Sequence, residues 1–146
     1  MHTLPQTHKR IAAVVWSSAL AVVAACASMA AMSETLTLAG SNEVPPVTTT
    51  ATGTAMVTIG DDRSVKATVT ATGMTATASH IHMAAAGANG PVIVPFTKSG
   101  DNAFSAAADA KLTEEQFAAY KAGNLYVNVH SAANPGGEVR AQLKGS

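Results

Sequence analysis

Short segments in which apolar and polar residues alternate strictly constrain the fold of this chain more than any other feature. The clearest two are residues 53–59 and 65–71, and the turn-forming residues 60–64 separate them. Alternation with a period of two is typical of a β-strand that buries one face. Glycine followed by aspartate is typical of a turn between strands. These segments therefore predict a β-hairpin.

Six further segments have the composition of short strands, and one helix interrupts the series. Thr113 and Gln116 form the T-x-x-Q pattern of a capping box and Gly123 provides a stop, so a helix is predicted over residues 113–122. About seven or eight short strands with one short helix indicate an all-β fold, an antiparallel Greek-key sandwich or barrel. The further strand candidates are residues 35–38, 79–83, 92–96, 102–107, 125–130 and 138–143.

The composition restricts the partners and chemistry of the chain. Charged residues make up 12% of the 146 residues, and nine basic residues balance nine acidic ones. No run of basic residues provides a face for nucleic acid, so we expect no nucleic-acid partner. The sequence has no glycine-rich phosphate loop, no recognisable Ser-His-Asp order and no evident pair of catalytic carboxylates. It therefore favours a non-enzymatic role and predicts no catalytic residues.

Residues 1–33 have the composition of a signal peptide with a short segment after it. A polar start ends in Lys9 and Arg10, an apolar run follows over residues 11–25, and small residues come next. The run of about 15 residues is shorter than the roughly 20 that a transmembrane helix needs. An uncleaved anchor helix is the alternative. We expect an exported protein that is periplasmic, bound to the cell envelope or secreted, with one β domain over residues 34–146.

The single cysteine, Cys26, lies directly after Val23-Ala24-Ala25. This position resembles a bacterial lipobox, in which the cysteine becomes the lipidated first residue. Acyl chains each contribute about 0.8 kcal/mol per buried methylene, so they would hold the domain at a membrane. The alternative is ordinary cleavage after Ala30 or Ala31, which removes Cys26 with the leader.

Several phrases along the chain resemble the CHRD domain family, which is named after chordin and is common in exported bacterial proteins. The resemblance covers residues 34–143 and implies an exported all-β domain without a defined biochemical activity. The chain departs from the family at Met83, where the family usually has glycine. The phrases are EVPP at 43–46, HIH at 80–82, GPV at 90–92, GNLYVNVH at 123–130 and NPGGEVRAQL at 134–143.

Three histidines lie within these phrases. His80 and His82 are two residues apart on a predicted strand, so both rings project from one face. His130 ends the predicted strand after the helix, and the three rings converge if the two strands are neighbours. Neutral imidazole is a common ligand of copper and zinc, and three histidines with an open position suffice for either ion. The pattern predicts a metal site, with copper first and zinc as the alternative, although histidines that only hydrogen-bond within strands would serve structure.

Four nearby residues are secondary candidates. Met83 carries a soft thioether that suits Cu(I), but on a regular strand it points away from His82, so a filler role is favoured. Asn128 and Glu138 are candidate hydrogen-bond partners of the ligands. Glu138 also lies two residues from Arg140, which predicts an ion pair at the surface or a sheet edge.

Three functions are consistent with these features. The first is an exported, non-enzymatic domain whose partner is a metal ion, with a membrane as a second partner if Cys26 carries lipid. The second is a cell-surface or extracellular module for protein interaction or adhesion, in which the histidines are structural. The third is a metalloenzyme with an open coordination position.

Overall fold

The computed structural model describes residues 31–145 of the chain. The apolar N-terminal run and Cys26 lie outside the described residues. Within the part of the chain that is described, no helix is both long enough and apolar enough to cross a membrane.

Residues 31–145 form eight strands and one α-helix, as the alternating segments and the capping pattern predict. Strand ends differ from the predicted ones by a few residues. The helix is α1 (Glu114–Lys121), and a short 3-10 turn (Gly40–Asn42) follows the first strand. The strands are β1 (Ala31–Ala39), β2 (Thr52–Gly60), β3 (Val65–Thr72), β4 (Ala76–Met83), β5 (Val92–Gly100), β6 (Ala103–Ala106), β7 (Leu125–Ser131) and β8 (Val139–Gln142).

The strands close into a barrel in the order β1-β2-β3-β6-β5-β4-β7-β8, and neighbouring strands are antiparallel. β4, β5 and β6 are successive neighbours, while β3 pairs with β6, which is a Greek-key arrangement. The pair Ala39↔Arg140 closes the barrel between β1 and β8. The predicted all-β fold is confirmed, and it takes the form of a barrel.

β1 begins earlier than the predicted start of the domain at residue 34. It pairs with β2 from Ala31↔Gly60 to Ala39↔Thr52 without a break. β2 continues to Gly60, so its last residues offer backbone groups to residues 31–33. Those three residues therefore belong to the barrel.

The helix α1 connects β6 to β7 across one end of the barrel. Thr113 and Gln116 form the predicted capping box, since each side chain accepts a hydrogen bond from the backbone N–H of the other. Leu112 N–H donates to the Arg63 carbonyl between β2 and β3, and the buried Tyr120 lies beside Glu34 of β1. The connection thus covers the barrel end.

Alternate residues of each strand fill the barrel interior, as the period of two predicts. Burial of this apolar surface is the main stabilising contribution to such a fold. The largest fully buried apolar side chains are Leu38, Val57, Ile59, Val65, Val69, Ile81, Phe104, Tyr120, Leu125, Val127 and Leu143.

The outer face of β7 is buried as well, and the outer faces of its neighbours β4 and β8 are buried in part, which sets this side of the barrel apart. Every residue of β7 is buried, although its side chains alternate between the two faces. Arg140 of β8 donates to the Ala88 carbonyl, and Asn89 donates to the Val44 carbonyl. Polar side chains therefore lie in a layer between the barrel and three covering loops, residues 43–47, 84–91 and 132–137.

Candidate metal centre

The register between β4 and β7 brings the three predicted histidines together. Ala78 pairs with His130, His80 with Asn128 and His82 with Tyr126. Residues opposite each other and two apart along a strand share a face, so the three imidazoles project from the same outer face. The sequence predicts that the three rings converge if their two strands are neighbours, and β4 and β7 are neighbours.

The ring nitrogens lie at distances that suit one small cation. His80 Nδ1 is 3.0 Å from His130 Nε2. One nitrogen from each of His80, His82 and His130 can be chosen so that all lie within 4.8 Å of one another. Two nitrogens on one ion are at most about 4 Å apart, which is twice a metal–nitrogen bond of about 2 Å. The cluster can therefore hold a metal ion after a small inward movement of its farthest ring.

Two backbone carbonyls fix the tautomers of two of these rings. Gly90 O lies 2.9 Å from His82 Nδ1, and Pro135 O lies 2.9 Å from His130 Nδ1. A carbonyl oxygen only accepts, so each Nδ1 carries the proton and each neutral ring keeps its lone pair on Nε2. Metal-binding histidines typically have this arrangement, in which the second nitrogen donates to an outer acceptor.

The loop that supplies the Gly90 carbonyl depends on glycine at that position. A β-carbon on residue 90 would collide with the Met83 carbonyl oxygen at the end of β4. Met83 N–H in turn donates to the Pro91 carbonyl. The absence of a side chain at Gly90 thus lets the loop pass close enough to β4 to reach His82.

Burial favours the neutral imidazoles of His80 and His82. Burial, together with the neighbouring His130 and His82 rings, lowers the pKa of His80 to about 4. Burial also lowers the pKa of His82, although its hydrogen bond to Gly90 opposes that shift. A neutral imidazole is the form that binds metal, so near pH 7 both rings are in the state that a ligand requires.

A model of the CHRD domain family matches residues 35–143, which is most of the chain. The chain belongs to the CHRD domain family. The resemblance drawn from the sequence phrases is thus confirmed, and the matched region contains the whole histidine cluster. No curated protein and no solved structure matches the chain.

Glu43 is a buried carboxylate of the CHRD domain that the sequence did not single out. Its side chain is only 5% exposed, and burial raises its pKa to about 7 against the opposing effects of Arg140 and Asn128. The two prolines that follow it predicted a loop or an extended edge, and loops usually lie in solvent. Nothing in the EVPP phrase indicates that this loop folds back onto the histidine side of the barrel.

Asn128 lies at the centre of the polar layer, opposite His80 in the strand register. Its amide interacts with both His82 and Glu43, and its Nδ2 lies 3.5 Å from the Gly136 carbonyl. The structure therefore places this predicted partner beside the rings.

Tyr126 links the histidine cluster to a buried arginine. Its ring stacks on His82 with centroids 4.8 Å apart, and the Arg140 guanidinium carbon lies 3.3 Å from its centroid. His82 and Arg140 belong to the strands on either side of β7, so the tyrosine separates them. Arg140 is 1% exposed, which makes the predicted surface ion pair with Glu138 wrong. Loop 84–91 covers the guanidinium, and Ala88 and Asn89 accept its hydrogen bonds.

Glu138 and Met83, the remaining predicted residues, lie apart from the ring nitrogens. Glu138 is buried, and its carboxylate accepts hydrogen bonds from Thr49 and Ser131. It thus reaches His130 only through the neighbouring Ser131. Met83 packs against the hydrophobic core, as expected for a residue adjacent to His82 on a regular strand.

Two solvent-open cavities flank the covering loop at residues 43–47. One of about 470 Å³ is lined by Glu43, Arg140 and Gln142 among others, and one of about 300 Å³ is lined by Glu43 and Pro135 among others. Glu43 borders both, so the polar layer has access to solvent on either side of this residue.

Proposed function

We propose that this protein is an exported, non-enzymatic CHRD-domain protein that binds a metal ion through His80, His82 and His130. Copper is the first candidate and zinc the second. The observation that supports the proposal most is the orientation of two rings: His82 and His130 each direct Nδ1 at a backbone carbonyl, so each neutral ring keeps its Nε2 lone pair on the side of the cluster. Histidines with a purely structural role would not need to direct the same ring nitrogen at a carbonyl.

The choice of copper follows from general coordination chemistry. Imidazole is a borderline ligand that suits copper and zinc, and affinity for divalent ions of this series is highest for Cu²⁺. Three neutral imidazoles with an open position also fit zinc. An exported protein meets these ions outside the cytosol, and the apolar run at residues 11–25 supports export.

Competitive titration of Cu²⁺ and Zn²⁺ into protein purified without a histidine tag tests the proposal. The wild type should bind one ion per chain, with Cu²⁺ tighter than Zn²⁺. A variant in which all three histidines are replaced by alanine should bind neither at that site. Equal weak binding by both proteins would refute metal binding and favour the alternative, a protein-interaction module with structural histidines.

A further inference from the structure

We infer that Glu43 is the anionic partner of the histidine cluster and makes the site favour a doubly charged ion over a singly charged one. The inference rests on the proposed metal-binding function and adds the charge class of the ion. Three neutral imidazoles carry no net charge, so any negative charge at the site must come from another residue. The Glu43 carboxylate, which Asn128 connects to His82, would supply that charge.

The first observation is a convergence of buried polar atoms without partners. Among the described residues, Glu43 Oε1, His82 Nε2 and Asn128 Oδ1 are all buried and accept or donate no hydrogen bond. Buried polar atoms are normally paired, so each exception requires an explanation. Asn128 lies close enough to both Glu43 and His82 to lower the pKa of the first and raise that of the second, which places the three side chains at one site. A cation at the rings would give this group of lone pairs an electrostatic partner.

The second observation is the way Gly137 makes room for Glu43. The residue has a φ of +129°, and a β-carbon there would collide with Glu43 Oε1 and lie 2.7 Å from Asn128 Nδ2. Glu43 and Asn128 therefore meet over a backbone position without a side chain. The carboxylate fits into the space beside Gly137, close to Asn128, which pairs with His80 in the strand register.

The loop that carries Glu43 is tied down on both sides. Glu43 N–H and Val47 N–H both donate to the Gly40 carbonyl, and Asn89 donates to the Val44 carbonyl. These bonds hold the carboxylate over the outer face of the barrel. The loop that carries Glu43 is thus held by two backbone hydrogen bonds of its own and by one from the Asn89 side chain.

Arg140 is the nearby positive charge, but its guanidinium makes its hydrogen bonds elsewhere, so it does not explain why the Glu43 carboxylate is buried. Arg140 makes its hydrogen bonds with Ala88 and Asn89 and stacks on Tyr126. Its charge lowers the pKa of Glu43 and of His82, so it lies near both. An ion at the rings would meet one buried positive charge and one buried carboxylate. Coulomb attraction to the carboxylate is proportional to the charge of the ion.

Zn²⁺ and Cu⁺ are the matched probes for this inference, because both have filled d shells and differ in charge. Their affinities should be measured at pH 8, with competing chelators and with reductant present for Cu⁺. In the Glu43→Gln variant, which keeps the shape of the side chain, Zn²⁺ affinity should fall tenfold or more while Cu⁺ affinity changes less than threefold. A tenfold selective loss of Cu²⁺ affinity would likewise raise the one-electron Cu²⁺/Cu⁺ potential by about 59 mV.

Two further variants control for structure. Glu43→Asp keeps the charge and should keep most of the preference for Zn²⁺. Glu138→Gln removes a different buried carboxylate, bound to Thr49 and Ser131, and should leave the Zn²⁺ to Cu⁺ ratio unchanged. If Glu43→Gln changed both affinities equally, or changed neither, the inference about Glu43 would be wrong. The proposed metal-binding function would still stand. A wild type that binds neither ion would overturn the proposed function and the inference with it.

Discussion

His80 Nδ1 lies 3.0 Å from His130 Nε2, and the two rings come from neighbouring strands. Because the Pro135 carbonyl accepts from His130 Nδ1, His130 Nε2 is an acceptor. His80 must therefore carry its proton on Nδ1 and donate it across this contact. A metal ion that coordinates His80 through Nδ1 would need the lone pair at that nitrogen, so its binding would replace this hydrogen bond.

The ring tautomers provide a first prediction. In metal-free protein at neutral pH, His80, His82 and His130 should all be protonated at Nδ1, because each has an acceptor there. Addition of zinc should move the His80 proton to Nε2 while His82 and His130 keep theirs. Nitrogen-15 NMR of the imidazoles distinguishes the two tautomers. If His80 kept Nδ1–H with zinc bound, coordination through Nδ1 would be wrong.

Two adjacent glycines provide a test of the shape of the polar layer. Gly137→Ala should lower the free energy of unfolding by about 1–3 kcal/mol, because it forces a strained φ and meets Glu43. Gly136→Ala is the matched control, since its β-carbon would meet no atom within 4 Å. Urea denaturation of metal-free protein measures both. Equal effects of the two substitutions would mean that Glu43 does not need this space.

His80 makes the stability of metal-free protein depend on pH in one direction. Its pKa falls from 6.5 to about 4 on folding, so the folded state favours the neutral ring. The stabilisation relative to low pH is fully present above pH 6.5 and is lost as the pH falls through about 4. His80→Asn removes this group, so the wild type should lose stability relative to the variant over that window. Denaturation curves of both proteins between pH 7 and pH 4 measure the difference, and parallel curves would contradict the lowered pKa.

Cys26 lies outside the described residues, and its lipidation stays a prediction from the sequence. A lipidated wild type should fractionate with membranes, whereas Cys26→Ala should be released from them because it has no thiol to acylate. Immunoblots of membrane and soluble fractions compare the two. An unchanged distribution of the variant would show that the cysteine is not the anchor.

The strands and the helix could be predicted because their signals are local. The alternation over residues 65–71 reports which side chains face the interior, and Thr113 with Gln116 marks the helix start independently of the rest of the fold. The same-face position of His80 and His82 follows from the strand period alone. These parts needed no knowledge of how distant segments pair.

The full set of residues at the site could not be predicted, because it depends on long-range contacts that the alternation of apolar and polar residues does not encode. Tyr126, Asn128 and His130 alternate with core residues, which would predict a solvent-exposed face for all three. They are buried because loops from elsewhere in the chain cover that face. Glu43 arrives in one of those loops, so its role becomes visible only when the barrel and its loops are assembled.

In the proposed function, three imidazoles of this CHRD domain bind one ion together. Electron paramagnetic resonance of tag-free protein loaded with one equivalent of Cu²⁺ tests it most directly, because nitrogen superhyperfine and spin-echo signals identify imidazole ligands. We expect a single type of copper with three imidazole nitrogens, and loss of one imidazole in each of His80→Ala, His82→Ala and His130→Ala. A wild-type spectrum that all three substitutions leave unchanged would contradict it.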